Sequence, residues 1–289
     1  ARATRRIRTL AEWRALPPEQ RLEVQQQVRI QRAHASGDMY DWCLAGPATE
    51  LGPCRLYRWQ RHLAAGLWSA CKWAMQRKGG KVVRVIMVSS MPQVGKSEVV
   101  SRRVPARAMA ELGMSFAVCS YADTLAREHS RKTRAILRSP LAKALHPHLV
   151  TESRYDSSDR EDDWTVPSPH PDRPGPRYIA RGRRGALTGR MVDGIVLDDL
   201  YKSVEDYASL ANQRVVSDFL RTQVMARLME RGGLLIDMGT RWGTRDTKGF
   251  WSDMAKELEA AGLEVMIEDW TYPLRAKEND FMGREPGEY

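Results

Sequence analysis

The sequence predicts an α/β fold in which a mainly parallel sheet is flanked by helices, with a helical region ahead of it. Three observations predict this. From Lys81 onward, apolar β-branched runs alternate with amphipathic stretches, the rhythm of strand–helix units in a parallel sheet. The first of these runs leads through Gly95-Lys96-Ser97 into a helical stretch. A later run ends in two adjacent acids, Asp198 and Asp199. Hydrophobic residues make up 42% of the 289-residue chain, enough for a sizeable core.

Residues 1–56 read as a basic helical region. Leu10, Trp13 and Leu16 share helical spacing, and Pro17-Pro18 restarts a helix through Leu22, Val28 and Ile30. Gly46-Pro47 and Gly52-Pro53 break it. Trp59, Leu63, Leu67, Ala70 and Ala74 then fit one face of a helix, whose Trp59, Trp68 and Trp73 are read as packing residues rather than a binding platform. Val82–Ser89 is a continuous apolar run suited to a buried parallel strand. Helix is expected over 96–112, strand over 116–120, and helix over 125–145, ending near Pro147. The polar, Pro-rich stretch 151–176 reads as a loop. Strand is expected at 194–197, a long amphipathic helix at 207–229, strand at 234–238, helix at 250–260 and a final strand at 263–267. No internal repeat is visible.

The formal charge is 46 minus 36, or +10, an excess that favours an acidic partner, nucleic acid above all. Cys43, Cys54, Cys71 and Cys119 form no C-x-x-C pair, which argues against a zinc site or a disulfide scaffold and for reduced thiols. No apolar run approaches the ~20 residues that cross a bilayer. The opening Ala-Arg-Ala-Thr-Arg-Arg has no apolar signal core and no initiator Met, so the chain is expected to begin inside a longer gene product.

Ser90-Met91-Pro92-Gln93-Val94-Gly95-Lys96-Ser97, followed by Glu98, lies between the first strand and its helix, the context of a phosphate-binding loop. Gly95 would let the backbone approach phosphates, which successive N–H groups and the helix N-terminus would bind. Lys96 would bridge the β and γ phosphates and Ser97 would ligate Mg²⁺. Ser90 stands where the usual pattern has its first glycine. The run from Asp193 to Leu200 ends in Asp198, expected to hold Mg²⁺, and Asp199, expected to orient and polarise the attacking water. ATP and Mg²⁺ are the implied cofactors.

A third strand end carries Thr240 and Arg241, candidates to sense the γ phosphate; Arg241 could equally pair with a strand-end acid. Between the phosphate loop and Asp193, the Gly-punctuated stretch 181–190 reads as a flexible basic loop, suited to phosphate contact or simply solvated. Arg190 is the preferred arginine to reach a neighbour's site, with Arg183 and Arg184 in competition.

Taken together, the segments 91–98, 120–122, 187–190, 195–199 and 240–242, in this order, resemble the large terminase subunit of tailed bacteriophages over roughly residues 57–289. The resemblance implies a RecA-like P-loop core, with an extra strand between the phosphate-loop strand and the paired-acid strand. It implies an ATPase that translocates double-stranded DNA into a procapsid, working as a homo-oligomeric ring, expected to be a pentamer, on a portal protein and with a small terminase subunit. The setting would be the cytoplasm of an infected bacterial host, transiently the procapsid portal, with no membrane. Gln60 would contact the purine. Gln93 and Val94 replace the Arg and His common in that family, which shifts weight to Arg190. The organisation expected is a helical or lid region at 1–56, the core at 57–270, and at 271–289 the start of a linker to a nuclease domain. No acidic two-metal cluster follows, so DNA cleavage by this chain alone is not expected. A helicase-like or other DNA-remodelling ATPase shares these motifs; a non-hydrolysing nucleotide-dependent scaffold is the reading from another class, disfavoured by the paired acids.

Overall fold

The computed structural model describes residues 16–45, 56–90, 92, 94–150, 160–187, 189, 191–273 and 287. Two helices, α1 (Pro18–Ser36) and α2 (Met39–Ala45), precede α3 (Arg58–Gln76). Pro18 opens α1 where its missing N–H costs nothing, and left-handed Gly37 closes it. The expected contributions of Leu10 and Trp13, and the breaks at Gly46-Pro47 and Gly52-Pro53, lie outside the described residues.

Seven strands form one sheet: β1 (Val82–Ser90), β2 (Phe116–Ser120), β3 (Asp163–Thr165), β4 (Arg177–Gly182), β5 (Gly194–Asp198), β6 (Gly233–Met238) and β7 (Glu264–Tyr272). Their spatial order is β3-β4-β2-β5-β6-β1-β7, and every pairing is parallel except β3 with β4. β6 therefore lies between β1, which feeds the Gly95-Lys96-Ser97 turn, and β5, which ends in the paired acids. This is the inserted strand expected of a RecA-like core.

Alternation along the strands builds two cores. Val83, Val85, Ala117, Ile195 and Leu197 face one side, where α8 (Leu210–Phe219), α9 (Ala226–Arg231) and α10 (Thr247–Ala260) cover them. Ile86, Val88, Phe116, Val118, Val196 and Ile236 face the other, beneath α3, α4 (Val104–Leu112) and α5 (Asp123–Arg138). Both faces being covered explains why these strands read as unbroken apolar runs rather than alternating ones. On α3, Gly66 is required by contact: a Cβ there would meet the Trp270 ring of β7 at 2.8 Å. Trp68 packs under Arg107 at 4.1 Å, and the guanidinium groups of Arg77 and Arg84 both lie over the Trp73 ring. α1 and α2 are tied to the core by buried arginines, Arg107 donating to Gly37 O at 2.9 Å and Arg103 to Cys43 O at 3.3 Å.

The sequence expectations need five corrections. The helix expected over 125–145 starts at Asp123 and breaks where Ser139 caps α6 (Pro140–Leu145). The stretch expected as loop over 151–176 contains β3, while 151–159 lies outside the described residues. β4 was not expected; Arg181 and Gly182, read as loop, end a strand paired on both sides. The helix expected over 207–229 is α7 (Val204–Ala208), α8 and α9, broken at the Ser209 cap and carrying a π-helical turn at Leu220–Met225. β7 runs to Tyr272, past the expected strand end, and pairs with β1 through all nine residues. Among the described residues, no helix is long and apolar enough to cross a membrane.

Candidate active site

The parallel strands β1, β5 and β6 end side by side, so the segments following them share one crevice. After β1 the chain turns at Gly95, whose φ of 78° favours glycine. A Cβ there would also meet Gln60 Nε2 at 2.8 Å. Gln60 braces this loop: Nε2 donates to Val94 O at 2.9 Å, and Oε1 accepts from Tyr57 N at 2.9 Å, capping α3. The buried Lys96 crosses the loop, Nζ donating to Ser90 O at 3.1 Å. Pro92, Val94, Gly95, Lys96 and Ser97 are placed in this turn; Met91 and Gln93 lie outside the described residues.

Ser97 leads into a π-helical turn, Glu98–Arg103, which then continues as α4. Pro105 accounts for part of this geometry, since it offers no N–H to Ser101 O four residues earlier. That carbonyl is served instead by Tyr178 Oη at 3.1 Å. Glu98 accepts from Arg102 at 2.9 Å and from Arg103 at 2.8 Å, so its carboxylate is turned along its own helix.

Asp198 ends β5, almost fully buried. Its Oδ1 accepts from Ser97 Oγ at 3.3 Å and its Oδ2 from Ser101 Oγ at 2.5 Å, and His129 Nε2 stands 3.1 Å from Oδ2. Burial pushes this carboxyl up, but His129, Ser101 and Ser97 outweigh it and hold the group below its ordinary range. Asp199 is set differently. Its backbone is left-handed, φ 48°, a conformation Asp tolerates better than most residues, and its N–H donates to Met238 O at 2.9 Å. Thr240 N donates to its Oδ1 at 3.3 Å. Burial first, and the neighbouring Asp198 charge second, push this carboxyl up, against the pull of Lys96. Two adjacent acids are thus driven apart, one held ionised and one more basic, the pattern expected where acid and base roles are divided.

A divalent cation fits the pair Ser97–Asp198. Both present hard oxygen donors, and Mg²⁺ asks of a protein only one or two such ligands. Among the described residues no cluster of three or more His, Cys, Asp or Glu stands ready for a metal that needs more.

Arg241 lies at the end of β6 with its Nε 3.1 Å from Asp246 Oδ2, so it takes the pairing with a nearby acid that the sequence left open. Arg183 is held bidentately by Asp206, at 2.7 and 2.9 Å, and Arg181 by Asp162 at 2.8 Å. Arg184 is exposed, and Arg190 lies outside the described residues. Sequence reasoning missed Ser101 and His129. Ser101 was within reach, four residues after Ser97 on one helix; His129 carries no local signal.

Fold and crevice together define a RecA-like α/β protein with a Gly-Lys-Ser turn facing paired aspartates. No family model and no curated protein matches the chain. Among solved structures, it is similar to the large terminase of bacteriophage HK97, with a TM-score of 0.47 and 14% identity over 80% of this chain and 43% of that one. It is also similar to a mutant ATPase domain of the Thermus phage P74-26 large terminase, with a TM-score of 0.35 and 16% identity over 70% of this chain and 80% of that one. The chain spans less than half the length of the HK97 protein.

Proposed function

We propose that this chain binds ATP with Mg²⁺ in the crevice after β1 and hydrolyses it, as the ATPase domain of a terminase-like motor that moves double-stranded DNA. The observation that carries the reading is the 3.3 Å contact of Ser97 with Asp198, two residues 101 positions apart, beside Lys96 and the basic Asp199. The loop backbone and Lys96 bind the phosphates, and Ser97 with Asp198 would hold the cation. Bound there, Mg²⁺ would neutralise charge developing on the transferred phosphoryl group. Asp199, its carboxyl made more basic than usual by burial, accepts a proton from, and orients, a water in line with the γ phosphate. Thr240, hydrogen-bonded to Asp199 through its backbone, ties the end of β6 to the reacting centre. Gln60 acts on the loop it braces, and a purine contact would require its amide to change partners.

The partners follow from the resemblance and from charge: DNA for the excess of +10, and a portal protein, a small terminase subunit and further copies of the chain as a ring. Phosphate release tests the reading. Lys96→Ala and Asp198→Ala should each lower turnover by about 10²-fold or more. Asp199→Ala should lower kcat by a similar factor, roughly 10²-fold, with nucleotide affinity nearly kept. Wild-type turnover in Asp199→Ala would remove that residue from the mechanism.

A further inference from the structure

His129 is on α5, remote in sequence from both motifs, yet it is buried against Asp198. Its ring is not free to choose a tautomer. Arg102 Nε donates to His129 Nδ1 at 3.2 Å, and because a guanidinium only donates, Nδ1 must present its lone pair. The proton is therefore on Nε2. That nitrogen is buried, makes no aligned hydrogen bond, and stands 3.1 Å from Asp198 Oδ2. Oδ2 already accepts from Ser101 at 2.5 Å, whereas Oδ1 has only the longer contact with Ser97. Arg102 is itself held by Glu98 at 2.9 Å and Glu128 at 3.5 Å, so the donor that fixes the ring is fixed in turn. The π-helical turn supplies both Ser101 and Arg102, neighbours in sequence that reach the acid and the histidine respectively.

We infer that His129, its tautomer set by Arg102, is a positioning residue that occupies one oxygen of Asp198 so that the other remains directed to Ser97 and the cation. The inference rests on the nucleotide-site reading above and goes beyond it. A carboxylate free to rotate would present either oxygen, and Ser101 alone would leave Oδ2 without the imidazole that stands 3.1 Å from it. Partners that orient a metal ligand in this way commonly set affinity for the metal rather than for the rest of the ligand.

The test uses Mn²⁺ as probe, titrated into the ADP-bound protein and followed by the paramagnetic signal of free Mn²⁺. ADP affinity in EDTA and the melting temperature are measured alongside. His129→Ala should weaken Mn²⁺ binding by about tenfold or more with ADP affinity in EDTA unchanged. His129→Gln, which can place an N–H where Nε2 stood, should recover to within about threefold of wild type. Arg102→Met, which leaves the ring but frees its tautomer, should weaken Mn²⁺ in the same direction by less. A purely structural histidine predicts a lower melting temperature with the Mn²⁺ midpoint unmoved, and that result overturns the inference. So does a His129→Gln variant that binds Mn²⁺ no better than His129→Ala. If the alanine variant fails to fold, wild-type Mn²⁺ affinity in Arg102→Met overturns it instead. A wild-type protein with no metal-dependent ADP binding overturns the nucleotide reading and this inference together; normal wild-type binding with unaffected variants overturns this inference alone.

Discussion

Asp237 sits on β6 with its carboxylate sealed in the interior, accepting from Trp251 Nε1 at 3.1 Å. Burial pushes its pKa up to about 6, against the pull of Thr247 and Lys248. The buried Lys248, whose ammonium donates to Ser89 at the end of β1, is itself pushed down by burial and supported by Asp237 and Asp269. In an unfolded chain the carboxyl loses its proton near pH 4, in the folded protein only near 6. Its contribution to stability is full below about pH 4 and is lost as pH rises through about 6. Asp237→Asn cannot ionise and can still accept from Trp251, so its stability relative to wild type should improve steadily between those values. Denaturant unfolding across that range checks this, and parallel curves for the two proteins would show Asp237 titrating normally. At Gly95 the constraint is steric. Gly95→Ala places a Cβ against the Gln60 amide and forces alanine to φ 78°, a strain of about 1–3 kcal/mol in the loop. Loss of nucleotide binding with a folded protein is the expected result, and retained affinity would mean that the loop does not need this shape.

Among the elements, α10 is held by one acid. Asp246 caps it, accepting from Lys248 N at 3.1 Å and Gly249 N at 3.2 Å, while its other oxygen takes Trp242 N and the Arg241 side chain. The same carboxylate therefore fastens the segment that follows β6. Asp246→Ala should destabilise by about 2 kcal/mol, at the upper end for a lost cap, and should also release Arg241. Equilibrium unfolding measures the first effect; a variant as stable as wild type would make the cap ornamental. What was legible at this scale had a local cause. β1, β2, β5 and β6 were apparent because two covered faces demand uninterrupted apolar residues. β4 was hidden by Arg181 and Gly182, whose charge and glycine signal a loop, while Asp162 and Asp123 satisfy the guanidinium and the backbone N–H in the fold. The helix breaks at Ser139 and Ser209 came from serine caps that interrupt no hydrophobic periodicity. In the site, Lys96, Ser97, Asp198 and Asp199 announce themselves through spacing beside strand ends. Ser101, one turn after Ser97, was within reach of the same spacing, whereas Arg102 and His129 join them only once the π-helical turn and α5 are packed, which no local pattern encodes.

For the whole molecule, the order of the strands converts two distant motifs into one crevice, and the charge decides what else the surface can meet. The excess of +10 is not all available to a partner. Arg183 is committed to Asp206 and Leu200 O, and Arg103 and Arg107 are buried between the N-terminal helices and α4. Removing Arg183 takes from part-buried Asp206 its charged partner, leaving only Lys202 N and Asn212 as donors among the described residues, and should cost stability, with little effect on an acidic ligand. Double-stranded DNA, if bound as proposed, is held by the remaining exposed bases through its phosphates, so affinity must fall with salt and be nearly indifferent to sequence. With roughly six phosphate contacts the loss between 50 and 200 mM salt would be about 10³-fold. Arg183→Ala should leave the slope of log affinity against log salt unchanged, whereas neutralising a base that touches the backbone lowers it by about one. Fluorescence anisotropy with two unrelated duplexes gives both quantities. Salt-independent binding, or binding confined to one duplex, would show that the positive charge serves the fold rather than DNA.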